Sequence, residues 1–199
     1  QNTHLINRYF YLGDFNNGIQ EVPAILKELE GHESKMDPHS VIIFYYKFAC
    51  IYFGNEDYRQ CVFWLNKIIN RTDVDLRSDI QGFARILNLV SHYELGNADL
   101  VEYYIRSTYR YLINKKDVNL FQKAIMSFLR RVTRITSNNL MESIQDLYQE
   151  MLAIDKIPFE RRVFIYFDII SYLESKITNK SIAQIISEKS DYAASKMAY

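Results

Sequence analysis

One short signal returns along this chain at nearly constant spacing. Gly13-Asp14-Phe15 and Glu56-Asp57-Tyr58 each join a corner residue to an Asp and an aromatic, and weaker versions stand at Ala98-Asp99-Leu100, Asn138-Asn139-Leu140 and Asn179-Lys180-Ser181. Successive corners lie 43, 42, 40 and 41 residues apart. With only helical periodicity between them, a period of this size predicts stacked helix pairs, an α-solenoid in which each pair buries its apolar side against the next. Such an array is a binding surface before it is anything else.

Composition agrees with helices. The 199 residues are 48% hydrophobic, enough for a sizeable core, and six Gly with three Pro leave little material for the tight turns of a β-sandwich. The expectation is an all-α, right-handed α-solenoid of about five antiparallel helical hairpins, forming a single domain over residues 1–199. Helices are expected over residues 3–12, 16–30, 40–53, 58–70, 79–95, 98–113, 120–136, 140–154 and 158–177, and from 181 to the end. Pro23 predicts a kink or a late start near Val22, while Asp37-Pro38 reads as a cap and first turn.

The segment from Tyr45 through Ala49, Tyr52, Gly54, Tyr58, Cys61 and Leu65 to Ile68 resembles a tetratricopeptide repeat. Ala49 and Cys61 stand where that family places small residues between its two helices, and Tyr52 and Leu65 where it places large ones. Tyr9, Gly13, Phe15 and Gly18 echo the pattern, as do Val90, Ser91 and Gly96, although Tyr103 replaces the second small residue. The resemblance implies that the first helix of each pair lines a concave, ligand-binding face. It also implies a period of ~34 residues, and longer helices account for the excess here.

Projection at about 100° per residue gives those first helices two sides. In the helix expected over 120–136, Ile125, Phe128, Leu129, Val132 and Ile135 share one side and Lys123, Ser127, Arg130 and Arg134 the other. In the helix over 79–95, Ile80, Phe83, Ala84, Leu87 and Val90 oppose a polar stripe of Gln81, Arg85, Asn88 and His92. Acidic residues gather on returning helices, as with Glu21, Glu28 and Glu30, or Glu142, Asp146 and Glu150.

Guanidinium and amide donors suit carboxylates. The expected site is therefore a basic groove of Lys47, Arg85, Asn88, His92, Lys123, Arg130, Arg134 and Arg161, holding an acidic or carboxylate-terminated segment of a protein or peptide partner. The competing structural reading is a solvated face, with Arg85 or Arg161 neutralised by Asp79, Glu94 or Asp168. Other readings are a sensory or regulatory repeat segment of a larger signalling protein, and a nucleic-acid-binding helical array using the eight basic residues from Arg106 to Arg134. A formal net charge of zero weighs against nucleic acid.

No carboxylate pair, Ser/His/Asp order, Gly-rich phosphate loop or metal-ligand spacing accompanies the scattered His4, His32, His39 and His92. The expectation is a non-enzymatic chain without cofactor or metal. Cys50 and Cys61 read as small core residues, and no apolar run is long enough to span a bilayer. A start at Gln1, in what reads as the second half of a helix, suggests a piece of a longer protein. A cytoplasmic setting is favoured, but a signal lost with a missing part would leave the compartment open. The apolar terminal helix, with Ile182, Ile185 and Ile186, invites cover by a homodimer contact or a further domain.

Overall fold

A computed structural model describes residues 2–31, 37–71, 77–116, 118–133 and 139–197. Its helices are α1 (Asn2–Leu12), α2 (Phe15–Gly31), α3 (Pro38–Gly54), α4 (Tyr58–Ile69), α5 (Ser78–Glu94), α6 (Ala98–Lys115), α7 (Leu120–Val132), α8 (Leu140–Asp155), α9 (Ile169–Thr178) and α10 (Ile182–Met197). A 3₁₀ helix, Glu160–Ile165, lies between α8 and α9. No strand is present among the described residues, so the all-α expectation holds.

The corners share one mechanism. At Gly13, Glu56 and Gly96 the chain turns left-handed, with φ of 67°, 61° and 73°. The next residue then donates its N–H to a carbonyl five positions back: Asp14 to Tyr9 at 2.9 Å, Asp57 to Tyr52 at 2.9 Å and Asn97 to His92 at 3.0 Å. This satisfies carbonyls that a helix end leaves without partners. The third corner is thus Gly96, not Ala98. Asn179 is also left-handed, at φ 55°, whereas Asn138 lies outside the described residues.

Helix starts are capped by the residues the sequence offers. Asp37 accepts from the His39 N–H at 3.2 Å, Asp57 from Gln60 at 3.1 Å and Asp168 from Ser171 at 3.0 Å. Asn119 and Gln122 cap each other reciprocally at 2.9 and 3.2 Å. Ser181 and Gln184 do the same at α10, at 3.2 and 2.9 Å.

Two helix bounds need correction. α2 does not start late near Val22 but at Phe15, with the exposed Pro23 inside it, because Val22, Ile25 and Leu29 are buried and hold the helix in place. The helix expected over 158–177 is instead the 3₁₀ helix followed by α9, since Asp168 spends its carboxylate starting a new helix.

The contacts form two compact units, Gln1–Arg77 with Lys180–Tyr199, and Ser78–Asn179. In the first, α1 packs on α2, α3 and α10, and α3 packs on α4. Ring contacts step away from the corner in both α3 and α4: Phe53 with Tyr58 at 5.3 Å, Phe48 with Trp64 at 5.0 Å and Tyr45 with Trp64 at 5.5 Å. Ala49 and Cys61 have no exposed surface, as small residues between close helices require. α10 covers α1 so tightly that a Cβ on Gly13 would stand 2.5 Å from the Ala183 carbonyl oxygen. Glu56 accepts from the Ile182 N–H at 3.1 Å, closing the start of α10.

In the second unit α5 packs on α6 and α7, and α8 packs on α7, α9 and the 3₁₀ helix. Phe83, Phe121, Phe164, Phe167 and Tyr166 form a linked aromatic core there. Glu94 ties α5 to α9, accepting from the Tyr172 hydroxyl and from Lys176 Nζ at 2.8 Å.

Candidate binding surface

The α7 helix has the two sides its spacing implies. Ile125, Phe128, Leu129 and Val132 are buried, and Lys123, Ser127, Arg130 and Arg131 are exposed. Lys123 and Arg130, seven residues apart, lie about 10 Å from each other along the helix. Lys123, Arg130 and Arg131 make no ion pair among the described residues. Arg134 and Ile135 lie outside the described residues. The result is a row of exposed cations on a helix carrying no acid.

The polar stripe of α5 is placed otherwise. Gln81, Asn88 and His92 are buried and Arg85 is half-buried, so the stripe is not an open face. The α6 helix supplies the reason. The Tyr111 hydroxyl donates to Gln81 Oε1 at 3.3 Å, the Arg85 guanidinium lies 4.2 Å from the Tyr111 ring centroid, and His92 stacks on Tyr104 at 5.1 Å. A cation over an aromatic face is attracted by the ring quadrupole, which offsets part of the cost of burying Arg85. Burial holds the Arg85 guanidinium below its ordinary range, with Tyr111 opposing.

Burial likewise lowers the His92 imidazole. Asn97 Nδ2 lies 3.1 Å from His92 Nδ1, and because the amide nitrogen can only donate, Nδ1 accepts and Nε2 carries the proton. That Nε2 is buried without a hydrogen-bond partner among the described residues. A second proton on Nδ1 would set donor against donor, so this contact, like burial, favours the neutral ring.

Lys47 belongs to the other unit. Its Nζ donates to Asn7 Oδ1, joining α3 to α1, and burial lowers its pKa. Beside it, burial pushes the Cys50 thiol up to about 12, against the smaller opposing effects of Tyr46 and Lys47. Such a thiol is a packing group and not a nucleophile. Arg161 stands on the 3₁₀ helix, its side chain 74% exposed and its Nε 3.4 Å from Asp155. The acids expected to neutralise Arg85 and Arg161 have other tasks: Asp79 accepts from Tyr166, Glu94 from Tyr172 and Lys176, and Asp168 caps α9.

Sequence reasoning counted Arg106 and Arg110 in a basic stretch but did not single out the tyrosines beside them on α6. Tyr103 and Tyr109 are 57% and 46% exposed there and alternate along the helix with the exposed Arg106 and Arg110. Aromatic counts alone could not separate them from the many core tyrosines. Among the described residues no three His, Cys, Asp or Glu side chains gather as a metal site would require, and no helix is long and apolar enough to cross a membrane. No protein-family model, curated protein or solved structure matches the chain.

Proposed function

We propose that the chain is a non-enzymatic interaction module, built from tetratricopeptide-like helix pairs, that binds an acidic or carboxylate-terminated protein segment along α7. One observation carries this reading: Lys123, Arg130 and Arg131 form an exposed cationic row with no ion pair among the described residues, on a helix whose other side is core. The row differs from the groove expected from sequence, because α5 contributes buried contacts to α6 instead of open donors. Arg–carboxylate bonds are directional and supply register, while the row as a whole steers an acidic chain.

The test is fluorescence anisotropy with acidic peptides bearing free or amidated C-termini. Replacing Lys123, Arg130 and Arg131 together by Glu is expected to weaken binding at least about tenfold, the effect of losing roughly 1.4 kcal/mol, without lowering Tm. Equal affinity in both proteins overturns the reading.

A second reading, nucleic-acid binding, is favoured by Tyr103 and Tyr109 interleaved with Arg106 and Arg110 on α6, since bases stack on exposed rings flanked by cations. It requires saturable RNA or DNA binding with a steep salt dependence that Tyr103→Ala and Tyr109→Ala reduce.

A further inference from the structure

The 3₁₀ helix has three residues per turn, so its side chains eclipse in rows three apart. The backbone holds helical angles from Phe159 to Tyr166. One row faces the unit: Glu160 accepts from the Leu120 N–H at 3.2 Å, Val163 is buried, and Tyr166 lies on Phe83. A second row carries Arg161 and Phe164, the latter edge-on to Phe121 at 5.4 Å. The third is Phe159, Arg162 and Ile165. Phe159 is 77% exposed and Ile165 81%, more than any other large apolar side chain among the described residues.

We propose that this third row is a docking ridge for an anionic lipid surface, with Phe159 and Ile165 entering the headgroup region and Arg162 and Lys156 meeting lipid phosphates. The charge pattern favours that occupant. The two local acids are engaged, Asp155 with Arg161 and Glu160 with the start of α7, which leaves Lys156 and Arg162 exposed without an acid among the described residues. The shape favours it too. A row of three residues presents far less area than the roughly 800 Å² per partner of a stable protein interface, whereas a few apolar side chains with flanking cations suffice for reversible interfacial binding. No helix among the described residues can cross a bilayer, so the contact would be peripheral. The surface is distinct from the α7 row, and either proposal can fail without the other.

The test is co-sedimentation of the full chain with vesicles of phosphatidylcholine alone and of phosphatidylcholine with phosphatidylserine. Binding is expected only to the anionic vesicles, and Phe159→Asp with Ile165→Asp is expected to reduce the partition at least about tenfold, as withdrawal of two apolar side chains implies. Arg162→Glu should weaken binding most at low salt, with its difference from the wild-type chain shrinking as salt rises. Because these side chains are mostly exposed, the variants keep the wild-type Tm, which circular dichroism verifies. Phe159→Trp supplies a direct reading: brominated lipid should quench its added fluorescence while the buried Trp64 stays unquenched. Absence of binding to anionic vesicles overturns the proposal. So does binding that survives Phe159→Asp with Ile165→Asp, or that is lost only on reversing Lys123 and Arg130.

Discussion

Tyr166 lies flat on Phe83, with ring centroids 4.5 Å apart and planes 4° from parallel. Its hydroxyl donates to Asp79 at 2.8 Å, so one side chain fastens the 3₁₀ helix to α5 by both stacking and a hydrogen bond to a carboxylate. The same fastening turns Phe159, Arg162 and Ile165 outward, because rows three apart on this helix cannot all face the core.

Tyr166→Phe should therefore cost about 1.5–3 kcal/mol, the usual worth of a bond to a charged acceptor. Tyr166→Ala should cost at least about 1.5 kcal/mol more than Tyr166→Phe, since it also removes the stacked ring. Urea denaturation followed by circular dichroism separates the two. Equal losses would mean that the stacked ring contributes nothing beyond the hydroxyl, and no loss in Tyr166→Phe that the hydroxyl contributes nothing.

Two glycines in the first unit are held by close neighbours. A Cβ on Gly54 would lie 2.3 Å from the Phe15 ring, which is 1% exposed and has nowhere to move. Gly54→Ala is expected to destabilise by about 1–3 kcal/mol through overpacking. Gly13→Ala meets backbone at Ala183 and a left-handed φ together, and should lose at least as much. Gly96→Ala is the control, with the same left-handed turn but open space around it, and its loss in a thermal melt should be the smallest of the three.

His92 makes stability depend on acidity. Burial depresses its folded-state pKa below the ordinary 6.5. Above 6.5 folded and unfolded chains both hold the neutral ring and nothing is lost. As pH falls through 6.5, the unfolded chain takes up a proton that the folded chain refuses, and stability declines until the folded pKa is reached. Urea midpoints compared between pH 7.5 and 5 should fall less in His92→Gln than in the wild-type chain. An identical fall would place the acid sensitivity elsewhere.

Much of the helix layout was legible because local chemistry sets it. Asp37-Pro38 starts α3, and the spacing of Ile125, Phe128, Leu129 and Val132 sorts α7 into two sides. The α5 stripe shows what spacing leaves out. Periodicity says that Gln81, Arg85, Asn88 and His92 share a side, but whether that side is open depends on Tyr104 and Tyr111 arriving from another helix. Pro23 does not delay the start of α2 for a related reason: its local cost is outweighed by burial of Val22, Ile25 and Leu29. The ridge at Phe159 was hidden because a 3₁₀ row follows a period of three, and a reading at 3.6 scatters its members around the helix.

The covering of α1 by α10 has a consequence in time as well as space. A ribosome releases residues 78–179 as a complete unit while the unit that precedes them in sequence still lacks its last helix. The carbonyl of Ala183 and the N–H of Ile182 reach Gly13 and Glu56 only after the whole intervening stretch has been made. The unit translated first is thus finished last, and the surface of α1 that awaits α10 is what a nascent-chain chaperone would meet.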